Sequence, residues 1–126
     1  MDIATPRFLD HPNATSDVYV SGVLDLAKAL PSWRQSLISY KWLGADAQPK
    51  KPDELADEQR AQYEDILRIL TRGDALPKPI IGLGMFDNVE VGSGAAIVAT
   101  LAALDVKVIP VHMRVAQEKG LRKFLL

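Results

Sequence analysis

The stretch from residue 79 to residue 111 constrains the fold more than any other part of the chain. It contains three short apolar runs, at residues 80–83, 89–91 and 106–111, and a longer apolar segment at residues 95–104. Short apolar runs bounded by turn residues are typical of strands, whereas the longer segment is typical of a buried helix. The order therefore predicts a strand, a second strand, a glycine-containing turn, a helix and a third strand, packed as one α+β unit.

The turn before the predicted helix has the sequence Gly92-Ser93-Gly94 and leads into Ala95. The first N–H groups of a helix have no partner inside the helix and, together with the helix dipole, favour an anion. Ser93 can add a hydroxyl donor, so this turn is a candidate phosphate site. The alternative is a tight turn in which glycine is needed for a positive φ or for close packing. The sequence leaves both interpretations open.

Two charged side chains flank this turn in the sequence. Lys78 precedes the first predicted strand and can reach a phosphate bound at the turn. The alternative interpretation is that Lys78 is an ordinary solvated lysine. Glu90 alternates with Val89 and Val91, and it can act as a base or hold a metal-bound water. The alternative for Glu90 is the solvent face of a strand, where glutamate is usually found.

The composition fits a single globular domain and excludes several kinds of site. The chain has 126 residues, of which 48% are apolar and 25% charged, so it can bury a core without a metal or a disulfide. It has no cysteine, which excludes disulfides, thiol catalysis and zinc–thiolate sites. His11 and His112 are too far apart for metal-ligand spacing, and Asp10-His11 has no recognisable nucleophile partner, so no metal site is predicted.

The net charge of -1 gives no overall attraction to nucleic acid, so any DNA contact needs a local basic patch. The candidate residues for that patch are Arg34, Lys41, Lys50 and Lys51. Trp33, Tyr40 and Trp42 lie near them and can stack on bases. The alternative, which we favour, is that Trp33, Leu37 and Tyr40 form a stripe facing the core.

Membrane insertion is not expected from the sequence. The longest apolar run is well short of the roughly 20 residues that span a bilayer. The start, Met1-Asp2, also lacks the basic residues that begin a secretory signal. We therefore expect a cytoplasmic location.

The first third of the chain is predicted to hold an arm, a strand and two helices. Residues 1–15 are rich in turn residues and predict an irregular arm. Residues 17–20 are β-prone, and residues 23–30 have the spacing of an amphipathic helix. Pro31 is expected to end that helix, with a second helix at residues 32–43.

The middle of the chain and the tail have clearer boundaries. Residues 45–51 are polar and contain a proline, which predicts a linker. Residues 52–72 begin with proline and acidic residues and predict an amphipathic helix that stops at Gly73. Residues 74–78 are expected to form a loop, and residues 114–126 a basic, partly amphipathic tail.

The order of motifs from residue 54 to residue 112 resembles the N-terminal domain of the ParB/sulfiredoxin superfamily. That family typically has a Q-P-I-x-V strand, a G-E-R-R box that opens an alanine-rich helix, and a V-P-V strand. Here Lys78-Pro79-Ile80 stands in place of Q-P-I, and Ile109-Pro110-Val111 in place of V-P-V. The resemblance implies an irregular arm at residues 1–15. Residues 16–126 would then form a single compact α+β domain, a small mixed sheet with helices packed around it.

The alignment with the box can be made in two registers. Counting back from Pro110 without gaps puts the box glycine at Gly94, the register that we prefer. A two-residue gap would put it at Gly92, with Ser93 in the place of the sulfiredoxin cysteine. In both registers Ala95-Ala96-Ile97 replaces the basic residues that hold nucleotide phosphates in the family.

The resemblance also implies a function. Small plasmid-borne members, the Osa-like group, are fertility-inhibition proteins that hydrolyse ATP, cleave DNA and block DNA transfer through a conjugative type IV secretion channel. For this chain it would imply ATP and Mg²⁺ as cofactors, with DNA and a secretion-channel coupling protein as partners. The nucleotide-binding residues would be Lys78, Gly92, Ser93, Gly94 and Ala95, with Glu90 as the catalytic carboxylate. The DNA-binding residues would be Arg34, Lys41, Lys50 and Lys51.

A second function stays open because the basic residues of the box are missing. In this alternative the chain is a catalytically inactive interaction module that has kept the fold and docks on a protein partner. The replacement of the basic box by Ala95-Ala96-Ile97 favours it.

Overall fold

The computed structural model describes residues 5–126 and forms an α+β domain with mixed pairing of its strands, which confirms the predicted class. The strands are β1 Arg7–Leu9, β2 Tyr19–Asp25, β3 Ala75–Pro77, β4 Ile80–Leu83, β5 Val89–Ser93 and β6 Val108–Arg114. The helices are α1 Leu26–Trp33, α2 Asp57–Arg72, α3 Ala95–Ala103 and α4 Val115–Leu121. Short 3-10 helices cover Pro12–Ala14, Ser39–Lys41, Pro52–Glu54 and Arg122–Phe124.

The main sheet has four strands in the order β2-β6-β4-β5. β2 and β6 are antiparallel, β6 and β4 are parallel, and β4 and β5 form an antiparallel hairpin. β6 is therefore an inner strand. Its His112 pairs with Ser21 on one side and with Ile80 on the other, and its N–H donates to the Pro79 carbonyl at 2.8 Å. This register places His112 near the end of the hairpin that leads into α3.

A second, two-stranded parallel sheet joins β1 to β3, and it corrects two predictions. The expected irregular arm contains a strand at residues 7–9, and the expected loop at 74–78 contains one at 75–77. The pairing continues past the strands, because the Lys78 N–H donates to the Leu9 carbonyl at 2.9 Å. Each strand has three residues, which is too short for an alternating pattern to be visible in the sequence. Residues 1–4 of the arm lie outside the described residues.

α1 differs from the prediction at both ends. Pro31 lies inside the helix, which runs from Leu26 to Trp33, so both ends of the predicted helix at residues 23–30 were wrong by three residues, and residues 23–25 belong to β2. The second helix predicted at residues 32–43 is also absent from this part of the described chain, where turns and a 3-10 helix replace it. The Ser39 hydroxyl donates a hydrogen bond to the Arg34 carbonyl oxygen at 3.1 Å. In an α-helix that carbonyl would instead accept a main-chain N–H.

The linker predicted at residues 45–51 is packed against the domain. Ala47 is buried and has a positive φ of 63°, and Leu43 forms a β-bridge with Pro49. The segment is therefore a tight turn within the fold.

The remaining elements follow the predicted order. α2 begins at Asp57, after a separate 3-10 helix at Pro52–Glu54, and ends at Gly73, whose φ of 74° is left-handed as in many helix ends. β4, β5 and α3 occupy the predicted positions to within about two residues. This hairpin-and-helix unit is the part of the fold that positions the candidate site.

One core joins the sheet to the helices. Its most deeply buried side chains, each fully excluded from solvent, are Val89, Leu101, Ile109, Val111, Met113 and Leu121. Full burial of a side chain of this size stabilises the fold by about 1.5–3 kcal/mol. α3 is nearly all apolar; it packs against α2, and its buried side chains belong to the common core. Within residues 5–126, no helix combines the length and the apolar character that a membrane crossing requires.

Candidate phosphate site at the start of helix α3

The start of α3 carries backbone N–H groups without helical partners. The first main-chain bond of the helix runs from the Val98 N–H to the Gly94 carbonyl, at 3.1 Å. Among the described residues no side chain caps this end, so the N–H groups of Ala95, Ala96 and Ile97 are free to bind a ligand or solvent. Ala95 and Ala96 are partly exposed. These groups are the anion-binding feature that the sequence predicted.

The two glycines of the turn have different roles. Gly94 has a left-handed φ of 89°, and a Cβ at this position would lie 3.1 Å from Cα and Cβ of Pro79. The backbone conformation therefore requires glycine at position 94, which agrees with the interpretation of the sequence as a tight turn. Gly92 is the extra residue of a β-bulge, since Ile80 pairs with Ser93 and Ile81 with Val91. A Cβ on Gly92 would meet only the Ile80 carbonyl oxygen, at an ordinary 3.7 Å.

His11 lies against the turn. Its Nε2 is 2.9 Å from the Ser93 hydroxyl oxygen, and its Nδ1 accepts a hydrogen bond from the Asn13 N–H at 3.0 Å. Because Nδ1 is an acceptor, Nε2 is the ring nitrogen that carries a proton and donates it to Ser93. Ser93 keeps its own hydroxyl proton, so it is a hydrogen-bond donor toward the turn and not an activated nucleophile.

His112 is the buried neighbour of His11. Its Nε2 accepts a hydrogen bond from the His11 main-chain N–H at 3.1 Å, and its Nδ1 is 3.4 Å from the Ser21 hydroxyl. Burial lowers the pKa of His112 from its ordinary value of 6.5, and the nearby charge of Lys78 lowers it further. The ring is therefore neutral near pH 7, with its proton on Nδ1.

Lys78 is paired with the arm and is not an ordinary solvated lysine. Its Nζ lies 3.0 Å from Oδ1 of Asp10, and its side chain is only 21% exposed. The hydrogen bond and the charge of Lys78 lower the pKa of the Asp10 carboxyl. The same Asp10 oxygen is 3.6 Å from Nε2 of His112. The Asp10-His11 dipeptide thus bridges Lys78 and Ser93.

We call Asp10, His11, Lys78, Ser93 and His112 the polar cluster. Its members come from the arm, from the residue after β3, from the end of β5 and from β6. The cluster and the start of α3 together offer the ammonium of Lys78, which is paired with Asp10, the hydroxyl of Ser93 and several backbone N–H groups, while the imidazole N–H of His11 is already bonded to Ser93. Asp10 supplies the competing negative charge. This donor-rich arrangement suits an oxyanion such as phosphate.

Glu90 lies elsewhere. It is the second residue of β5, whereas Ser93 is the last, and its Oε1 accepts a hydrogen bond from Nδ2 of Asn88 at 3.2 Å. It lines a hollow with Met85 and Phe86 at the turn of the hairpin. The contacts of Glu90 therefore hold that turn and do not connect it to the polar cluster.

The four basic residues predicted for DNA do not share one set of contacts. The Arg34 side chain donates to the Gly44 carbonyl at 3.0 Å and holds a loop. Lys41 lines a hollow that also contains Glu58 and Ala95, whereas Lys50 lines another one beside Trp42. Lys51 is exposed.

The aromatic residues near these lysines are mostly structural. Trp33 and Trp42 are buried, so neither ring is available to stack on bases. The predicted core-facing stripe is confirmed for Trp33 and wrong for Leu37 and Tyr40, both of which are exposed. The cause is the missing second helix, since without helical periodicity these residues do not share a face.

The described residues contain no preformed metal site. Across residues 5–126, no group of three or more His, Cys, Asp or Glu side chains is arranged to hold a metal ion.

Sequence reasoning missed the arm side of the site. The parallel β1–β3 pairing carries Asp10 and His11 to the turn, and 82 positions separate His11 from Ser93. Sequence spacing gives no signal for a contact of that range. The turn-rich sequence around His11 was the available clue, since its ring caps the 3-10 helix at Pro12–Ala14.

Comparisons of the chain with family models, with curated proteins and with solved structures find no match.

Proposed function

We propose that this protein binds the phosphate groups of a nucleotide at the start of α3. The observation that carries the proposal is the set of free N–H groups at Ala95 and Ala96, flanked by the hydroxyl of Ser93 and close to His11. Lys78 is linked to the same place through Asp10. The donors favour an anion, and the partial exposure of the two alanines lets a ligand approach.

The ParB/sulfiredoxin resemblance supports a nucleotide as the source of the phosphate. The order β4, β5, α3, β6 supports the motif order on which the resemblance rests, and in the preferred register Gly94 takes the place of the family's box glycine. The missing basic residues of the box are partly offset by Lys78, which approaches from outside α3. Without a lysine or arginine in the turn itself, we expect an affinity weaker than that of a P-loop.

We extend the proposal to the activities that the resemblance implies: ATP hydrolysis with Mg²⁺, DNA cleavage, and inhibition of transfer through a conjugative type IV secretion channel. Glu90 was the sequence candidate for the catalytic carboxylate, and its contacts lie at the other end of β5. Asp10 is the carboxylate of the polar cluster itself. A hydrolytic function would therefore depend on Asp10 more than on Glu90.

Calorimetric titration separates these possibilities. ATP should bind the protein, and adenosine should not, because the proposed contacts are to phosphate. Ser93→Ala and Lys78→Gln should each weaken ATP binding by about three- to tenfold, the effect of losing one charged or hydroxyl donor. Lys107→Gln is the matched control, because Lys107 also pairs with an aspartate, at 2.7 Å, on another part of the surface.

The result that contradicts nucleotide binding is equal binding, or equal failure to bind, of ATP and adenosine. The catalytically inactive interaction module is then the function to pursue. If ATP binds, phosphate release and plasmid nicking are measured with Mg²⁺ and with EDTA, and Asp10→Asn is compared with Glu90→Gln to identify the carboxylate that matters.

A further inference from the structure

Four large apolar side chains are exposed together beside the turn of the β4–β5 hairpin. They are Leu37, Ile38, Met85 and Phe86, which we call the apolar patch. Leu37 is 86% exposed and Met85 is 88% exposed, which is far more than isolated surface residues of this type usually are. We estimate the exposed apolar area at roughly 500 Å², near the upper end for the largest patch on a monomeric protein.

The hairpin turn holds Met85 and Phe86 outward rigidly. The Gly84 N–H donates to the Asn88 carbonyl at 2.7 Å, and the Phe86 N–H donates to Oδ1 of Asn88 at 3.2 Å. The Asn88 side chain is buried and is used fully, because its Nδ2 also donates to the Val89 carbonyl at 3.0 Å. These bonds fix the backbone of the turn and therefore the side of the chain from which Met85 and Phe86 project.

The opposite side of the patch is also fixed. The buried Ser39 hydroxyl lies 2.9 Å from the Ser36 carbonyl oxygen and closes the loop that presents Leu37 and Ile38. The Ser32 hydroxyl accepts a hydrogen bond from the Val89 N–H at 2.8 Å, which ties the end of α1 to the start of β5. Both sides of the patch are therefore preorganised, which lowers the entropy cost of an association.

We propose that the apolar patch is the interface of a homodimer, with a second copy of this chain as its occupant. The patch forms a hollow of about 410 Å³, lined mainly by apolar atoms of Leu37, Ile38, Met85 and Phe86, of which Leu37 and Met85 are the most exposed. In a two-fold arrangement each copy places its protruding side chains in the hollow of the other. Covering about 500 Å² on each copy buries about 1,000 Å² in total, the lower limit for a specific interface.

The charges at the margins fit the same arrangement. Asp87 and Glu90 border the patch at the hairpin, and Lys41 lies beyond Ile38 at the other margin. A two-fold axis through the middle of the patch sets unlike charges against each other. Glu58 shares a hollow with Lys41 and offsets part of its charge. Apolar burial therefore supplies most of the affinity, and the charges fix the orientation.

Sedimentation velocity of the whole chain tests the proposal between about 10 µM and about 1 mM, the range in which an interface of this size dissociates. The mass should rise with concentration from that of the 13.8 kDa chain toward twice that value. Leu37→Ser and Phe86→Ser should each weaken dimerisation at least tenfold, because both remove a large central side chain. Leu126→Ser is the matched control, since Leu126 is 79% exposed outside the patch.

Two results would overturn the homodimer. One is a constant monomer mass up to about 1 mM, in which case the patch serves another protein or none. The other is a dimer that tolerates both patch variants but is weakened by Val18→Ser, which would locate the interface around Val18 and Val115. Far-UV circular dichroism confirms that each serine variant is folded. Ile38 of the patch shares a hollow with Ala95, so nucleotide binding is tested separately, by titrating ATP into the two patch variants.

Discussion

The imidazole of His11 donates a hydrogen bond to the hydroxyl of Ser93 across 2.9 Å, and this contact fastens the arm to the start of α3. The preceding residue, Asp10, then reaches Lys78. A carboxylate from the arm therefore lies beside the donors that would hold a phosphate. The arm both builds the site and supplies the charge that competes with a ligand.

Replacing Asp10 by asparagine should tighten phosphate binding. The change frees the Lys78 ammonium and removes one like charge from the neighbourhood of the ligand, so we expect about two- to fivefold tighter binding of pyrophosphate or ATP, the scale of an exposed charge pair. Calorimetric titration at low salt measures it.

Asp105→Asn is the control for this substitution, because Asp105 also has its pKa lowered by a neighbouring lysine, Lys107, and lies elsewhere. It should leave the affinity unchanged. Weaker binding by Asp10→Asn would mean that Asp10 assists the ligand instead of competing with it.

Acid should destabilise the fold through His112. Its pKa in the folded state is lowered below 6.5 by burial, so the unfolded state binds the proton more readily. The contribution of the neutral ring is fully present above pH 6.5 and is lost as the pH falls from 6.5 through the folded pKa. Urea unfolding midpoints, measured at several pH values, should fall across this range.

His112→Gln should flatten that part of the profile, since glutamine can still accept the hydrogen bond from the His11 N–H but does not titrate. His11→Gln should keep the fall, because the bond to His112 comes from the His11 main chain. A profile that is unchanged in His112→Gln would rule out His112 as the titrating group.

The two glycines of the turn should respond differently to alanine. Gly94→Ala forces a left-handed φ on a side chain and brings Cβ to 3.1 Å from Pro79, so we expect a loss of about 1–3 kcal/mol in the free energy of unfolding. Gly92 has no positive φ and has room for a Cβ, so Gly92→Ala should change stability by less than about 0.5 kcal/mol. Urea denaturation measures both; equal losses would show that the bulge also requires glycine.

Two buried hydroxyls should have opposite effects when removed. Ser32→Ala leaves the buried Val89 N–H without its acceptor and should cost about 1–3 kcal/mol. The Thr100 hydroxyl has no hydrogen-bond partner within residues 5–126, so Thr100→Val should be neutral or stabilising by up to about 1 kcal/mol. Thermal unfolding of the two variants checks this; a clear loss in Thr100→Val would mean that the hydroxyl has a partner, such as a bound water.

The elements that the sequence predicted well are those with local signals. Proline and acidic residues start the α2 region and Gly73 ends it, and the hairpin, turn and helix around Gly94 have clear apolar runs and breaks. The free N–H groups at Ala95 follow from the helix start alone. These features depend on residues that are neighbours in the chain, which is why periodicity and turn chemistry are sufficient.

The parts that were missed depend on contacts between distant residues. β1 pairs with β3 across more than half of the chain, and this pairing brings His11 to Ser93. The second predicted helix failed for a local reason, since the Ser39 hydroxyl bonds the Arg34 and Ser36 carbonyls in place of main-chain N–H groups and Leu37 is left exposed. The polar cluster and the apolar patch are both products of tertiary structure, and no sequence pattern encodes either of them.

The most direct measurement of the central claim is a titration of the ¹⁵N-labelled protein with ATP, followed by amide chemical shifts. We expect the largest shifts at Ala95 and Ala96, with smaller ones at Ser93 and His11, and the same pattern with pyrophosphate alone. Adenosine should leave these amides unmoved. Shifts that are absent at millimolar ATP, or that are confined to residues outside the start of α3 and the polar cluster, would contradict the proposed phosphate site.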